Sequence, residues 1–285
     1  MKYLKQLGCA AALALAMQGS AHASILLTDW VFNPTGGGFA GGQAINEYLD
    51  VNGNAFIQLA PSGVSSFTFK EHAVFNLVQA DSNGALFPMN FAGGNITATL
   101  EAVGSGSFGG AFSFESGKIR MYHNPTNRQY ATTAGYYGAN LGKQIAEFNI
   151  LAGGGGEVHA NGSPLNNGKV SVHAEAAAGM LQAGYFFNGR GVDLSTEPLF
   201  AFAFTNANTL GTPRATLVSE VACGFAGFTG RGCNGKAYRN VDRQQFFISG
   251  NGQFKLAEVP EPGSVALFGI ALAGLAALRR RVPAA

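Results

Sequence analysis

From Ser24 to Glu258 the apolar residues fall in short runs that often alternate with polar ones and are interrupted by Gly or Asn-Gly. Clear cases are 65–69 (SSFTF), 95–100 (NITATL), 110–114 (GAFSF), 169–173 (KVSVH) and 200–204 (FAFAF). Period-two alternation turns one face of a strand inward. Phe67/Phe69, Phe112/Phe114, Val170/Val172 and Phe200/Phe202/Phe204 are therefore expected to build the core, with their Ser, Thr and Lys neighbours on the wet face. Asn-Gly begins at Asn52, Asn83, Asn161, Asn167, Asn188, Asn234 and Asn251. That dipeptide favours the left-handed conformations of hairpin turns. Many turns joining short strands predict an all-β fold, an antiparallel β-sandwich or an open barrel-like fold. Only Ala174 to Gln182 offers a turn or two of helix, and Trp30, opening Trp30-Val31-Phe32, is expected in the core. With no fixed-period repeat and no charged or Pro-rich linker, residues 24–258 read as one extracellular body.

The two ends break this pattern. Lys2 and Lys5 precede an apolar run from Ala10 to Met17, which closes on Ala21-His22-Ala23. Residues 1–23 thus read as a secretory signal peptide for the Sec route, cleaved after Ala23. Cys9 precedes most of the apolar run and has no Leu three residues upstream, which argues against a lipid anchor there. At the other end, Pro260-Glu261-Pro262 leads into an uncharged run from Gly263 to Leu278 that stops at Arg279, Arg280 and Arg281. As a helix, 263–278 would rise about 24 Å, just short of a bilayer core of about 30 Å. The arginines would stay cytoplasmic and the body outside. The competing reading, a buried C-terminal helix, fits an all-round apolar run ending in adjacent cations less well.

The tripeptide, apolar stretch and basic stop, in that order over 259–285, resemble the PEP-CTERM sorting signal of Gram-negative bacteria, also described as the ice-binding-protein C-terminal domain. The resemblance implies recognition by an exosortase-type transpeptidase in the inner membrane. That enzyme would remove the tail and pass the transiently anchored body to the cell surface or extracellular matrix.

Setting both signals aside changes the charge. Five of the 18 Lys and Arg lie in them, and of the 16 Asp and Glu only Glu261 does. The formal net charge of +2 becomes 13 basic against 15 acidic side chains, about −2, and no basic stripe remains for nucleic acid. Charged residues make up only 12% of the chain, against about 25% on average, while Gly 41 is about twice average usage, which argues against a helical bundle. Of Cys 3, Cys9 leaves with the signal peptide. Cys223 and Cys233 then read as a disulfide around the loop 224–232. Zinc is the alternative, weakened by the absence of CxxC or a nearby His pair.

Candidate chemistry in the body is sparse. No G-x-S-x-G occurs, and Ser105 and Ser107 sit in a Gly-Ser stretch that reads as a turn. His72, His123, His159 and His173 are scattered without ligand spacing, and His173 is expected to face solvent. Asp50-Val51-Asn52-Gly53-Asn54 has alternating oxygen ligands, but its glycine is misplaced and no Glu follows at the twelfth position. It reads as a hairpin turn, with calcium near Asp50 left open. Gly153 to Gly156 lacks the Lys-Ser/Thr of a phosphate loop and reads as loop or edge-strand punctuation. Glu147 and Glu157, or Glu71 and Asp81, are the carboxylates that could meet across strands. Tyr122, Tyr130, Tyr136 and Tyr137, interleaved with Asn124, Asn127, Arg128 and Asn140, are a possible glycan contact, or sandwich-margin packing.

Several body segments, 46–50 (NEYLD), 122–125 (YHNP), 135–140 (GYYGAN), 148–156 (FNILAGGGG) and 250–254 (GNGQF), resemble the flocculation-associated PEP-CTERM proteins. The resemblance implies an exported protein that supports floc or biofilm formation with exopolysaccharide and supplies no catalytic residue. The expectation is a non-catalytic surface protein without cofactor or metal. The alternatives are a carbohydrate-active enzyme, which needs placed carboxylates, or an ice-binding protein, which needs a regular threonine array; Thr97 and Thr99 are an isolated pair.

Overall fold

Alternating strands do form, and they close on themselves. The computed structural model describes residues 25–80, 95–125 and 130–259. In chain order the strands are β1 (Ile25–Leu26), β2 (Trp30–Phe32), β3 (Gln43–Ile45), β4 (Leu49–Pro61), β5 (Ser66–Ala80), β6 (Asn95–Ser107), β7 (Ala111–Asn124) and β8 (Lys143–Ile150). They continue with β9 (Gly153–Glu157), β10 (Gly168–Ala176), β11 (Phe186–Phe187), β12 (Leu199–Thr209) and β13 (Gln245–Glu258). Neighbours run β4-β5-β6-β7-β8-β10-β12-β13, and β13 pairs antiparallel with β4 from Gln245↔Gln58 to Phe254↔Leu49. The result is a closed eight-stranded barrel rather than a sandwich or an open sheet. Closure removes the unpaired edges that an open sheet would expose. Leu26–Glu258 form one compact unit.

The interior is filled by one phase of each strand: Leu49, Ala55 and Ile57 on β4, Phe67, Phe69 and Ala73 on β5, Ile96, Ala98 and Leu100 on β6, Phe114, Ile119 and Met121 on β7, Phe148 on β8, Val172 and Ala174 on β10, Leu199 and Ala201 on β12, and Phe254 and Leu256 on β13. An eight-stranded barrel has an interior just wide enough for side chains or one small ligand, so ring and small residue must alternate across it. Phe67 and Phe69 sit opposite Gly106 and Gly104. A Cβ at Gly104 would lie 2.5 Å from the Phe69 ring, and one at Gly106 would lie 2.8 Å from the Phe67 ring. The Gly-Ser stretch read as a turn is therefore strand, its glycines supplying room. The same holds for Asn52-Gly53 and Asn251-Gly252, which lie within β4 and β13, not in hairpin turns. Asn161, Asn167, Asn188 and Asn234 do precede glycines between strands, while Asn83 lies outside the described residues.

Barrel width also reverses one expected face. On β12 the buried residues are Leu199, Ala201 and Ala207, while Phe204 is 47% exposed and Phe200 and Phe202 are half-buried on the outer wall. Phe254 and Leu256 of β13 face Ala203 and Ala201 and already occupy that part of the interior. Phe67, Phe69, Phe114 and Val172 lie inside as expected, with Phe112 and Val170 packed against them. Ala174 to Gln182 forms no helix, since β10 runs to Ala176. The glycines 153–156 open β9, a strand pairing with both β7 and β10.

Two additions complete the unit. The three-stranded sheet β11-β2-β3 brings Trp30, Phe32, Ile45 and Phe186 into the barrel's core cluster, with Trp30 stacked on Phe186 at 6.3 Å. On the outer wall, Phe56, Val74 and Phe247 are covered by a second cluster built from Ala215–Leu217, the π-helical turn Val218–Phe225, and Tyr137 and Ala139. Replacing the core ring Phe148→Ala is expected to cost about 3–5 kcal/mol, whereas Phe204→Ala costs a fraction of that. Urea unfolding of the two variants measures the contrast.

Candidate functional site

The outer wall of β10, β12, β13, β4 and β5 carries one polar row directly across the strands. Lys169 pairs with Asn206, Asn206 with Asn251, Asn251 with Asn52, and Asn52 with Asn76. A second row runs Asn208, Ser249, Asn54, and a third runs Ser171, Phe204, Gln253, Asp50. Adjacent strands are about 4.8 Å apart, so the amides form a short two-dimensional lattice. Asn52 and Asn251 are exposed and Asn206 half-buried. They line two open, contiguous troughs, one containing Phe204, Lys169 and Gln253 and the other edged by Tyr130. An amide both donates and accepts, and a neighbouring ring offers an apolar face. Such a wall, with Lys169 and Asp50 at its margins, can exchange hydrogen bonds with hydroxyl groups chiefly through amides. Period-two spacing of 50/52/54, 206/208 and 249/251/253 was visible in the sequence, but only the register shows that the three sets lie side by side.

Of the four tyrosines read as a possible glycan contact or as margin packing, Tyr130, Tyr136 and Tyr137 meet in the second core and Tyr122 lies apart from it. Tyr122 lies half-buried on the outer wall between Thr97 and Gln144. Tyr137 is buried, and its ring meets Tyr130 edge-on at 5.4 Å. Tyr136 stacks on Phe225 at 4.2 Å, and the Tyr130 hydroxyl donates to the Val74 carbonyl at 3.2 Å. Burial pushes the Tyr130 hydroxyl pKa upward, so it stays a neutral donor. Tyr130 is thus both a wall of the second core and the rim of the asparagine trough. Cys223 and Cys233 are joined, with Cα atoms 5.5 Å apart, and tie the segment carrying Phe228 to the turn that packs on Phe56.

Other candidates separate. Glu147 is paired with Lys118 and Arg120, and Arg120 also binds Glu101 at 2.6 Å. The hydrogen bond from Lys118 is the main cause holding the Glu147 carboxyl below its usual range. Glu157 lies on β9, exposed, and Asp81 is outside the described residues. Asp50, Asn52 and Asn54 share the outer face of a strand rather than a loop, and no group of three or more His, Cys, Asp or Glu placed to hold a metal occurs among the described residues. His123 is buried, its Nδ1 2.8 Å from the Tyr185 hydroxyl; burial is the main cause lowering its pKa. His173 lies half-buried on the outer wall beside Phe202, and His159 is exposed. His72 packs against Phe225, with burial again the main cause lowering its pKa.

Glu71, read from the sequence only as a carboxylate that could meet Asp81, has a place inside the barrel that the sequence reading did not assign to it. Glu71 occupies an inward position of β5, opposite Ile57 and Ala102, and lines a cavity with Phe67, Phe69, Phe112, Val170, Thr205 and Phe246. Its side chain is half-buried and belongs to the cavity lining. Burial raises its pKa to about 7 from 4.5. The signal was the one acidic residue at an inward position of Phe67-Thr68-Phe69-Lys70-Glu71-His72-Ala73.

The family model of the PEP-CTERM protein-sorting motif matches residues 258–281, which contain Pro260, Glu261, Pro262, Arg279, Arg280 and Arg281. No curated protein and no solved structure matches the chain. The motif makes this an exported protein, sorted through a membrane-anchored stage toward the cell surface, with an exosortase as its processing partner. It starts on the last residue of β13, so the barrel ends where the signal begins. The sorting residues after Val259, the span 263–278 and the signal peptide with its Ala23 cleavage point lie outside the described residues. Among the described residues no helix is long and apolar enough to cross a membrane.

Two outcomes follow from this geometry. Reducing the Cys223–Cys233 bond, or Cys223→Ser with Cys233→Ser, should lower stability by about 2–3 kcal/mol, read as a fall in melting temperature. For Glu71, the folded state holds a proton that the unfolded state releases above pH 4.5, so its effect is to lower stability as pH rises from about 4.5 through about 7. The loss levels off at about 3 kcal/mol. His72 and His123 titrate in the opposite sense, so the readout is the difference between wild type and Glu71→Gln, whose melting temperatures should diverge as pH rises from 5 to 8.

Proposed function

We propose that this protein is a non-catalytic component of the bacterial surface or extracellular matrix that supports floc or biofilm formation by holding exopolysaccharide. The observation that carries the reading is the asparagine lattice, Asn52, Asn206 and Asn251 with Phe204 beside it, on a barrel ending in a cell-surface sorting motif. Uncharged amides suit a polymer of hydroxyl groups, and a rigid barrel presents them without ordering cost at the moment of contact. Each contact is weak, but many copies on one surface meeting a repeating polymer bind with avidity.

Gene deletion followed by complementation tests this. The full gene should restore aggregation and polysaccharide retention, and a version lacking residues 260–285 should restore neither. Asn52→Ala with Asn206→Ala and Asn251→Ala, all outer-wall changes, should leave secretion and melting temperature near wild type while reducing retained polysaccharide several-fold. Full retention by the triple variant would remove the lattice from the reading, and unchanged aggregation on deletion would remove the matrix role.

A further inference from the structure

The outer wall leaves the interior unexplained. By the space open to the centre of a water-sized sphere, the cavity holds about 60 Å³, where one water needs about 10–15 Å³. That is room for about four to six non-hydrogen atoms. Among the described residues its lining is apolar apart from Thr205, Asn54 and Glu71, and none of them is cationic. A Leu or Met at position 71 would fill the space and avoid burying a carboxyl group without a partner, so packing alone does not account for Glu71. Among the described lining residues Glu71 has no second carboxylate and no histidine beside it to share acid–base work. Its strand neighbours Lys70 and His72 lie in the opposite phase, against the outer wall, as does Glu101 beside Ala102. No charge from the wall therefore faces it.

What satisfies such a group is a cation that brings its own apolar body. From the cavity's volume, its apolar lining and the Glu71 carboxyl among the described lining residues, we infer that the barrel interior binds a small aliphatic molecule ending in a primary amine. The ammonium group donates to the Glu71 carboxylate, and the hydrocarbon packs against Ile57, Phe69, Val170 and Phe246. The carboxylate alone is costly in this lining and the ammonium alone is costly there too; together, hydrogen-bonded and enclosed, they offset one another. An aliphatic acid of the same length would place two carboxyl groups together and is disfavoured.

Titration calorimetry of the full chain with n-pentylamine, n-pentanol and pentanoate tests the inference. Pentylamine should bind, Glu71→Gln should weaken it tenfold or more, and pentanol binding should change less than threefold in that variant. Ala207→Leu, which fills the cavity from β12, should abolish binding of both. Glu71→Gln is close to isosteric, so a cooperative thermal transition in that variant keeps the test valid even if Ala207→Leu fails to fold. Equal pentylamine affinity in wild type and Glu71→Gln, tighter binding of pentanoate than of pentylamine, or no amine binding by the folded wild type would each overturn it. None of these outcomes bears on polysaccharide retention, which reads the opposite face of the wall.

Discussion

Pairing of β13 with β4 is the contact on which everything else rests. It joins the last strand of the body to the first long one through ten residue pairs, from Gln245↔Gln58 to Phe254↔Leu49. It is also the most non-local pairing in the barrel, so forming it carries the largest loop-closure cost. Once made, it fixes strand number and hence interior width. Width then bears on which residues can point inward: several inward rings have glycine or alanine on one neighbouring strand, as at Phe69 and Gly104 or Phe254 and Ala203.

Seen this way, the places where sequence reading succeeded and failed have one cause. Alternation located β5, β6, β7, β10 and β12 as strands, because period two is a local property of the backbone. It could not choose the inward phase of Phe200-Ala201-Phe202-Ala203-Phe204, where the apolar set occupies both phases and only the opposing strand selects the alanines. Asn-Gly misled at Asn52 and Asn251 for a related reason: glycine there serves interior space, and asparagine the outer wall. The helical turn Val218–Phe225 was missed because its pattern is short and its amphipathic face meets the barrel's outside. The disulfide was legible from cysteine parity and export alone, and the sorting signal from residue order.

Closure also separates two kinds of surface that an open sheet would have mixed. Outward positions at the β4–β13 seam are free of the second core only near Asn52, Asn54, Ser249 and Asn251, because Phe56, Val74 and Phe247 are covered. The amide lattice therefore occupies the uncovered part of the wall, with Tyr130 marking the boundary. The same strands, read on alternate residues, line the cavity around Glu71. One set of hydrogen-bonded strands thus carries an amide-rich exterior and an apolar interior holding the Glu71 carboxyl, separated by a single backbone layer.

Magnitudes show what the barrel tolerates. Ionised Glu71 costs about 3 kcal/mol at neutral to alkaline pH, and the Cys223–Cys233 bond contributes about 2–3 kcal/mol by constraining the unfolded chain. For a domain whose total stability is on the order of 5–15 kcal/mol, these are large and nearly cancelling terms. They act in different ways. The disulfide is indifferent to what fills the barrel, whereas the cost of Glu71 disappears once a cation enters. A ligand satisfying the carboxylate therefore stabilises the fold by its own binding free energy, through mass action on the folded state alone. Stability of the exported barrel and occupancy of its interior are in this way one linked equilibrium, set by the Glu71 side chain in the cavity lining.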